Sequence, residues 1–351
     1  MDTKALQAYL DSLVSEEEFS GVVLIQGPTG VEFSGAYGFA SRRWSVPCSP
    51  NIRFDTASMT KLFTAVAVLQ QIEAGAFELE TKAVEYLELA GTQISPDATV
   101  YHLLTHTSGI GDDADEEAGE RYEDLWIDRP NYAVTQTEHF LPQFAQKPEV
   151  FAPGEGCRYC NCSYVLLGLM VERATGLSYR DYVTARVFEK AEMSRAGFFD
   201  RNIHEPAVAE GEEPIKGADG TIREWRGNLY SSPPIGSPDG GAHVMASDLV
   251  KFLHALQRGR LLGPEMTQAM FVPRERYRVR KSGKLHMMGF AFEFETSDDG
   301  AIHSYWKEGI NVGVSGILRF YPATSRTVVV LSNMESGAWA PIRWIDDAVS
   351  E

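Results

Sequence analysis

Ser58 and Lys61 stand three residues apart at the entrance to an apolar run, residues 62–69, within the stretch 54–75. On a helix this spacing puts both side chains on one face, with the lysine one turn above the serine. Nearly every residue of the run is apolar or small, so the helix is predicted to be buried on most of its faces. Gly75 follows the last apolar turn and suits a left-handed C-terminal cap. Burial strips hydration from an ammonium, lowers its pKa and makes the neutral amine accessible. A neutral amine beside a serine hydroxyl is a general base beside a weak nucleophile, which is what acyl transfer requires. Ser58 also lies where helix N–H groups favour negative charge. The structural alternative is that Ser58 caps the helix and Lys61 snorkels to the surface. Partners further along the chain decide between the two.

Residues 151–161 read as a loop entering a helix that starts near Ser163. Tyr159 and Asn161 alternate, so in an extended segment both point the same way. Together they offer a proton shuttle and a hydrogen-bond donor; the alternative is a packing tyrosine and a capping asparagine. Near the C-terminus, Lys307 falls on an expected edge strand with Gly309 two residues on. That glycine would let a substrate lie close along the backbone. Alternatively Lys307 is one more exposed edge charge.

These residues need a scaffold, and the chain can supply one. Its 351 residues suffice for one large domain or two closely packed ones, and 44% hydrophobic with 23% charged residues is ordinary for a globular protein. A formal net charge of −17 argues against nucleic acid or an anionic membrane as partner. No run approaches transmembrane length. The N-terminus is amphipathic and acidic, with no visible signal peptide, so a cytoplasmic location is the expectation. Cys157, Cys160 and Cys162 cluster while Cys48 stands alone. No histidine pair sits at a companion spacing, so these cysteines are expected to fill the core rather than bind metal, and no metal or cofactor is anticipated.

The pattern of elements runs strand-rich, helix-rich, strand-rich. A helix over 2–16 precedes a hairpin, 21–27 and 31–38, around Pro-Thr-Gly. A short helix ends at Ser108-Gly109, and the acidic segment 111–124 is expected to be an exposed loop. Helices follow over 135–146, 164–175 (ended by Gly176) and 179–188. Residues 207–240 read as irregular. A helix capped by Ser247 comes next, then strands over 287–295, 312–321 and 327–332, and a terminal helix over 339–349. The fold class is therefore α+β: an antiparallel β-sheet flanked by helices, with an inserted all-helical lobe. Residues 1–75 and 240–351 would form the sheet domain and 76–239 the mainly helical lobe with long loops.

The three short motifs, taken in order, resemble those of the penicillin-recognising serine hydrolases, specifically the class C β-lactamase-like esterases and peptidases. Ser58-Met-Thr-Lys61 looks like the S-x-x-K of that family and Tyr159-Cys-Asn161 like its Y-x-N. Lys307-Glu-Gly309 falls where the family has K-T-G or H-x-G. The segments starting at His102, Phe151, Gly168 and Gly240 are similar to family segments in the same order. The likeness spans roughly residues 20–335. It implies an active site between sheet and helical lobe, with Ser58 attacking an ester or amide carbonyl. Lys61 and Tyr159 would move the proton to the leaving group and then activate water. Asn161 would orient the substrate and Lys61. Lys307 would hold positive potential beside Tyr159 or meet a substrate carboxylate, and the N–H groups of Ser58 and Ile310 would form the oxyanion hole.

Glu308 departs from the pattern, since the family often has threonine or serine there. A glutamate would repel a substrate carboxylate, or pair with Lys307 and blunt it; alternatively it points to solvent. The expected function is a serine hydrolase working through an acyl-enzyme on a small-molecule ester or amide, foremost a carboxylesterase on small acyl esters. β-Lactamase or D-amino-acid peptidase activity is the alternative enzyme reading, and a non-catalytic binding protein of the same fold the reading from another class. The sequence does not disclose the oligomeric state.

Overall fold

The computed structural model describes residues 1–280 and 282–350. Among them an eight-stranded antiparallel sheet runs β1 (Gly21–Gly27), β2 (Gly30–Tyr37), β3 (Glu275–Val279), β4 (Leu285–Met288), β5 (Glu293–Thr296), β6 (Ile302–Asn311), β7 (Val314–Tyr321) and β8 (Arg326–Ser332). In space the order is β2-β1-β8-β7-β6-β5-β4-β3. Strands from the two ends of the chain thus join at β1 and β8, where Gly21 pairs with Ser332 and Gln26 with Thr327.

The side-chain period of two divides the hydrophobic residues between two faces. Val23 and Ile25 of β1, Ile317 of β7, and Val328 and Val330 of β8 pack against Leu6, Leu10 and Leu13 of the N-terminal helix and Ile342 and Ile345 of the C-terminal one. Val22, Leu24, Leu318, Val329 and Leu331 meet the larger core on the opposite face. That core is centred on helix Lys61–Glu73, which crosses helix Asn161–Thr175. Gly75 and Gly176 close these two helices with φ of 73° and 69°, backbone that a Cβ disfavours.

Several expected elements change. The strand expected over 287–295 is two strands, β4 and β5, because the chain turns through Phe290 and Ala291, the latter with φ of 62°. Residues 207–240 contain a hairpin, Glu212–Lys216 with Ile222–Gly227, whose mostly exposed faces leave no apolar alternation to read. The helix Ala246–Gln257 has Met245 rather than Ser247 at its N-cap, with Asp248 accepting from the Met245 N–H at 3.1 Å. Lys307 is buried and lies on an interior strand, not on the sheet edge. Even so, β5 pairs only with residues 302–306 of β6, so 307–311 have β7 as their one ladder partner. The sheet is open on that side. No described helix is long and apolar enough to cross a membrane.

Candidate active site

Ser58 sits in a single 3-10 turn, Ala57–Thr60, that leads directly into helix Lys61–Glu73. Lys61 is fully buried. Its Nζ lies 3.1 Å from Ser58 Oγ, 2.8 Å from Asn161 Oδ1 and 2.7 Å from the carbonyl oxygen of Asp239. The snorkelling alternative is therefore excluded. An amine held by two fixed oxygens keeps its third position towards the hydroxyl, and a neutral Nζ there can accept the Ser58 proton.

Asn161 opens helix Asn161–Thr175, and Cys160 before it is extended. The helix start is held by Asp112, whose carboxylate accepts the N–H of Asn161 and of Cys162, each at 3.0 Å. An anion at a helix N-terminus is favoured by the orphan N–H groups there. This corrects the expectation for 111–124 in its first part: residues 111–114 are buried, because the acidic loop is folded onto that helix start, while 117–121 are exposed as expected. Cys160 turns away from Tyr159, its Sγ facing Ile110 O and Asp112.

The centre of the Tyr159 ring lies 5.1 Å from Lys61 Nζ and 4.7 Å from Lys307 Nζ. Beneath it stacks His106, with ring centroids 4.6 Å apart. Burial, followed by the charges of Lys307 and Lys61, pushes the His106 pKa well below its ordinary value. Its Nδ1 accepts the Cys160 N–H at 3.1 Å, which assigns the remaining proton of a neutral ring to Nε2.

Lys307 is paired with a carboxylate that the sequence did not single out. Its Nζ donates to Glu293 Oε1 at 2.7 Å, and Glu293 Oε2 accepts from His286 Nε2 at 2.8 Å. His286 Nδ1 in turn accepts from Arg278 Nε at 3.2 Å. Burial alone would raise the Glu293 pKa, but Lys307 and His286 overcome it and hold the carboxyl well below the usual range. Glu308, by contrast, is pushed upward by burial and by the negative charge of Glu293.

Gly309 works differently from the sequence expectation. A Cβ there would sit 2.1 Å from Thr56 O and 3.0 Å from Ser58 N, so the glycine admits the serine turn itself against β6. Ser58 and Ile310 consequently border both adjoining cavities, of about 260 and 180 Å³. Tyr159, Lys307 and Glu308 line the smaller; Asn161, Arg201 and His243 line the larger.

A family model described as Beta-lactamase matches residues 6–348. The chain belongs to that family. It is a serine hydrolase of the β-lactamase and penicillin-binding protein kind. It is 30% identical over 316 residues to esterase EstB of Burkholderia gladioli, covering 84% of this chain and 80% of that one. It is 27% identical over 346 residues to penicillin-binding protein 4* of Bacillus subtilis strain 168, covering 95% and 72%. Its structure is similar to that of a penicillin-binding protein from Bacillus halodurans, with a TM-score of 0.88 and 36% identity over 97% of this chain and 99% of the other.

Elsewhere, Asp112, Asp113 and Cys162 bring ligand-type atoms within 4.8 Å of one another. Both Asp112 oxygens already accept backbone N–H groups. Burial, and for Asp113 the Asp112 charge, pushes the Asp113 and Cys162 pKa values up, towards protonated forms that bind metal poorly. The four cysteines are all free thiols.

Proposed function

We propose that this enzyme is a carboxylesterase acting on small acyl esters through an acyl-enzyme at Ser58. The carrying observation is the fully buried Lys61, with Nζ 3.1 Å from Ser58 Oγ. In the acylation step the Ser58 hydroxyl loses its proton to the Lys61/Tyr159 pair as Oγ attacks the carbonyl. The developing oxyanion meets the N–H groups of Ser58 and Ile310. The pair then gives the proton to the leaving alcohol as the ester C–O bond breaks; afterwards it takes one from the deacylating water and returns it to Ser58 Oγ as the acyl bond to Oγ breaks. The Lys307 ammonium, 4.7 Å from the centre of the Tyr159 ring, favours negative charge on its oxygen. Asn161 orients Lys61 and the bound acyl group. On this reading the site lies between a sheet domain, 1–75 and 240–351, and a helical lobe, 76–239.

The preference for neutral esters over carboxylate-bearing β-lactams rests on charge. Lys307, which would receive a substrate carboxylate, is engaged by Glu293, and Glu308 stands beside it on the same cavity. The similarity to esterase EstB supports the same choice. The similarity to penicillin-binding proteins favours the second reading, β-lactam or D-amino-acid peptide hydrolysis. Hydrolysis of a short-chain p-nitrophenyl ester and of a chromogenic cephalosporin, by wild type and Ser58→Ala, separates them. Ester turnover that disappears in the variant, with little cephalosporin turnover, is the expected result. Dominant cephalosporin turnover would overturn the substrate assignment, and ester turnover that survives in Ser58→Ala would overturn the nucleophile.

A further inference from the structure

We propose that Asp55 is a positioning residue for Ser58: its carboxylate locks Ala57 into the left-handed backbone conformation that aims the Ser58 N–H and hydroxyl into the site. The inference rests on the reading of Ser58 as nucleophile. Ala57, immediately before Ser58, has φ of 42°, a region that residues with a Cβ seldom occupy and that persists only when the surroundings impose it. Asp55 Oδ1 accepts the Ala57 N–H at 2.7 Å, the Asx-type turn by which an aspartate imposes a local backbone shape.

The neighbouring restraints act on other atoms. The Thr56 N–H and hydroxyl both donate to Ala242 O at 2.8 Å, and the Gly241 N–H reaches Ala57 O at 3.4 Å. They hold Thr56 and the Ala57 carbonyl, whereas the Asp55 carboxylate holds the Ala57 N–H. Asp55 is itself fixed, by backbone pairing opposite His243 and by Arg201, whose guanidinium lies 3.6 Å from its second oxygen. Asp55, Ala57, Arg201 and His243 share the wall of the larger cavity with Ser58. Loss of the carboxylate would let Ala57 relax towards negative φ. The Ala57–Ser58 peptide would then turn, carrying the Ser58 N–H away from the carbonyl oxygen it must bind.

The test compares Asp55→Ala, Asp55→Asn and Ala57→Gly, singly and as D55A/A57G. Two rates are read: ester hydrolysis, and phosphonylation of Ser58 by a fluorophosphonate followed by mass. Phosphonylation reports the nucleophile whichever ester is the preferred substrate. D55A is expected to lower kcat and the phosphonylation rate by about 10- to 100-fold, the scale of a misplaced reacting group or a lost oxyanion donor, with KM nearly unchanged. D55N keeps an acceptor oxygen and should stay within roughly 5-fold of wild type. In the A57G background the D55A loss should shrink to a few-fold, roughly 5-fold or less, because glycine takes positive φ without a steric cost. Wild-type rates in D55A, alongside an inactive Ser58→Ala, would overturn the proposal while leaving the nucleophile in place. So would D55N as impaired as D55A with no rescue by A57G, since the negative charge rather than the turn would then matter. A Ser58→Ala variant that still turns over ester would instead refute the reading of the nucleophile.

Discussion

Replacing Glu293 by glutamine is expected to cost stability out of proportion to the chemical change. Glu293 and Lys307 are both buried, 5% and 1% exposed, and meet at 2.7 Å. Removing one member of a buried pair leaves the other as an uncompensated charge, a cost of about 3–5 kcal/mol. Glutamine can still accept one hydrogen bond, so the lower end, about 3 kcal/mol, is the expectation for E293Q. Lys307→Met should cost a similar amount, because it strands the carboxylate with a neutral His286. The double variant E293Q/K307M removes both charges, and its loss should fall short of the sum of the singles by about 1–3 kcal/mol. Urea unfolding followed by tryptophan fluorescence measures all three, provided the slope with denaturant is shared. Acid adds a second readout. The Glu293 carboxyl is held below its ordinary range when folded, so its contribution is complete above the unfolded-chain value of about 4.3 and is lost as pH falls from there towards the depressed folded value. Wild type should lose stability more steeply than E293Q across that window. A cost for E293Q below about 1 kcal/mol, with singles that simply add, would refute the account of Lys307 as a charge that depends on Glu293.

Two other outcomes follow from the same site. Gly309→Ala would place a Cβ 2.1 Å from Thr56 O, forcing the serine turn away from β6. Ester turnover should fall roughly 100-fold with the circular dichroism unchanged, and a wild-type rate would show the close approach to be dispensable. His106→Phe removes the acceptor of the buried Cys160 N–H and should cost about 1–3 kcal/mol. Because folded His106 resists protonation, the unfolded chain takes up that proton first as pH drops through about 6.5, so wild-type stability should decline there and the variant's should decline less. Equal slopes between roughly pH 7 and 5 in urea titrations would contradict the neutral imidazole.

Ser58, Lys61, Tyr159 and Asn161 were legible because their chemistry lies in side-chain type at short spacing, against an apolar run that announces its own burial. Glu293, His286 and Asp112 were not. Each is an ordinary polar residue on its own strand or loop, and its role appears only when β5 or the 111–114 loop is laid against another element. Asp112 shows the cost of reading locally. An acidic segment looks solvated until a helix N-terminus is found for it to cap. Glu308 adjoins Lys307 in the chain, but the carboxylate that engages Lys307 comes from Glu293, fourteen residues earlier. Gly309 was singled out for the right atom, a missing Cβ, with the wrong neighbour.

The sequence by itself determined which residues are candidates for the chemistry, the burial of the Lys61 helix and the two-sided sheet, since hydrophobic period and residue type are local properties. The tertiary structure alone decided what surrounds those groups: the Glu293 carboxylate on Lys307, the Asn161 oxygen on Lys61, and both lysines close to the Tyr159 ring. The physical reason is range. A side-chain period reports the element that carries it, whereas partners at the site come from other elements, fourteen residues away in the chain for Glu293 and Lys307 and a hundred for Lys61 and Asn161, yet a few ångströms apart in space.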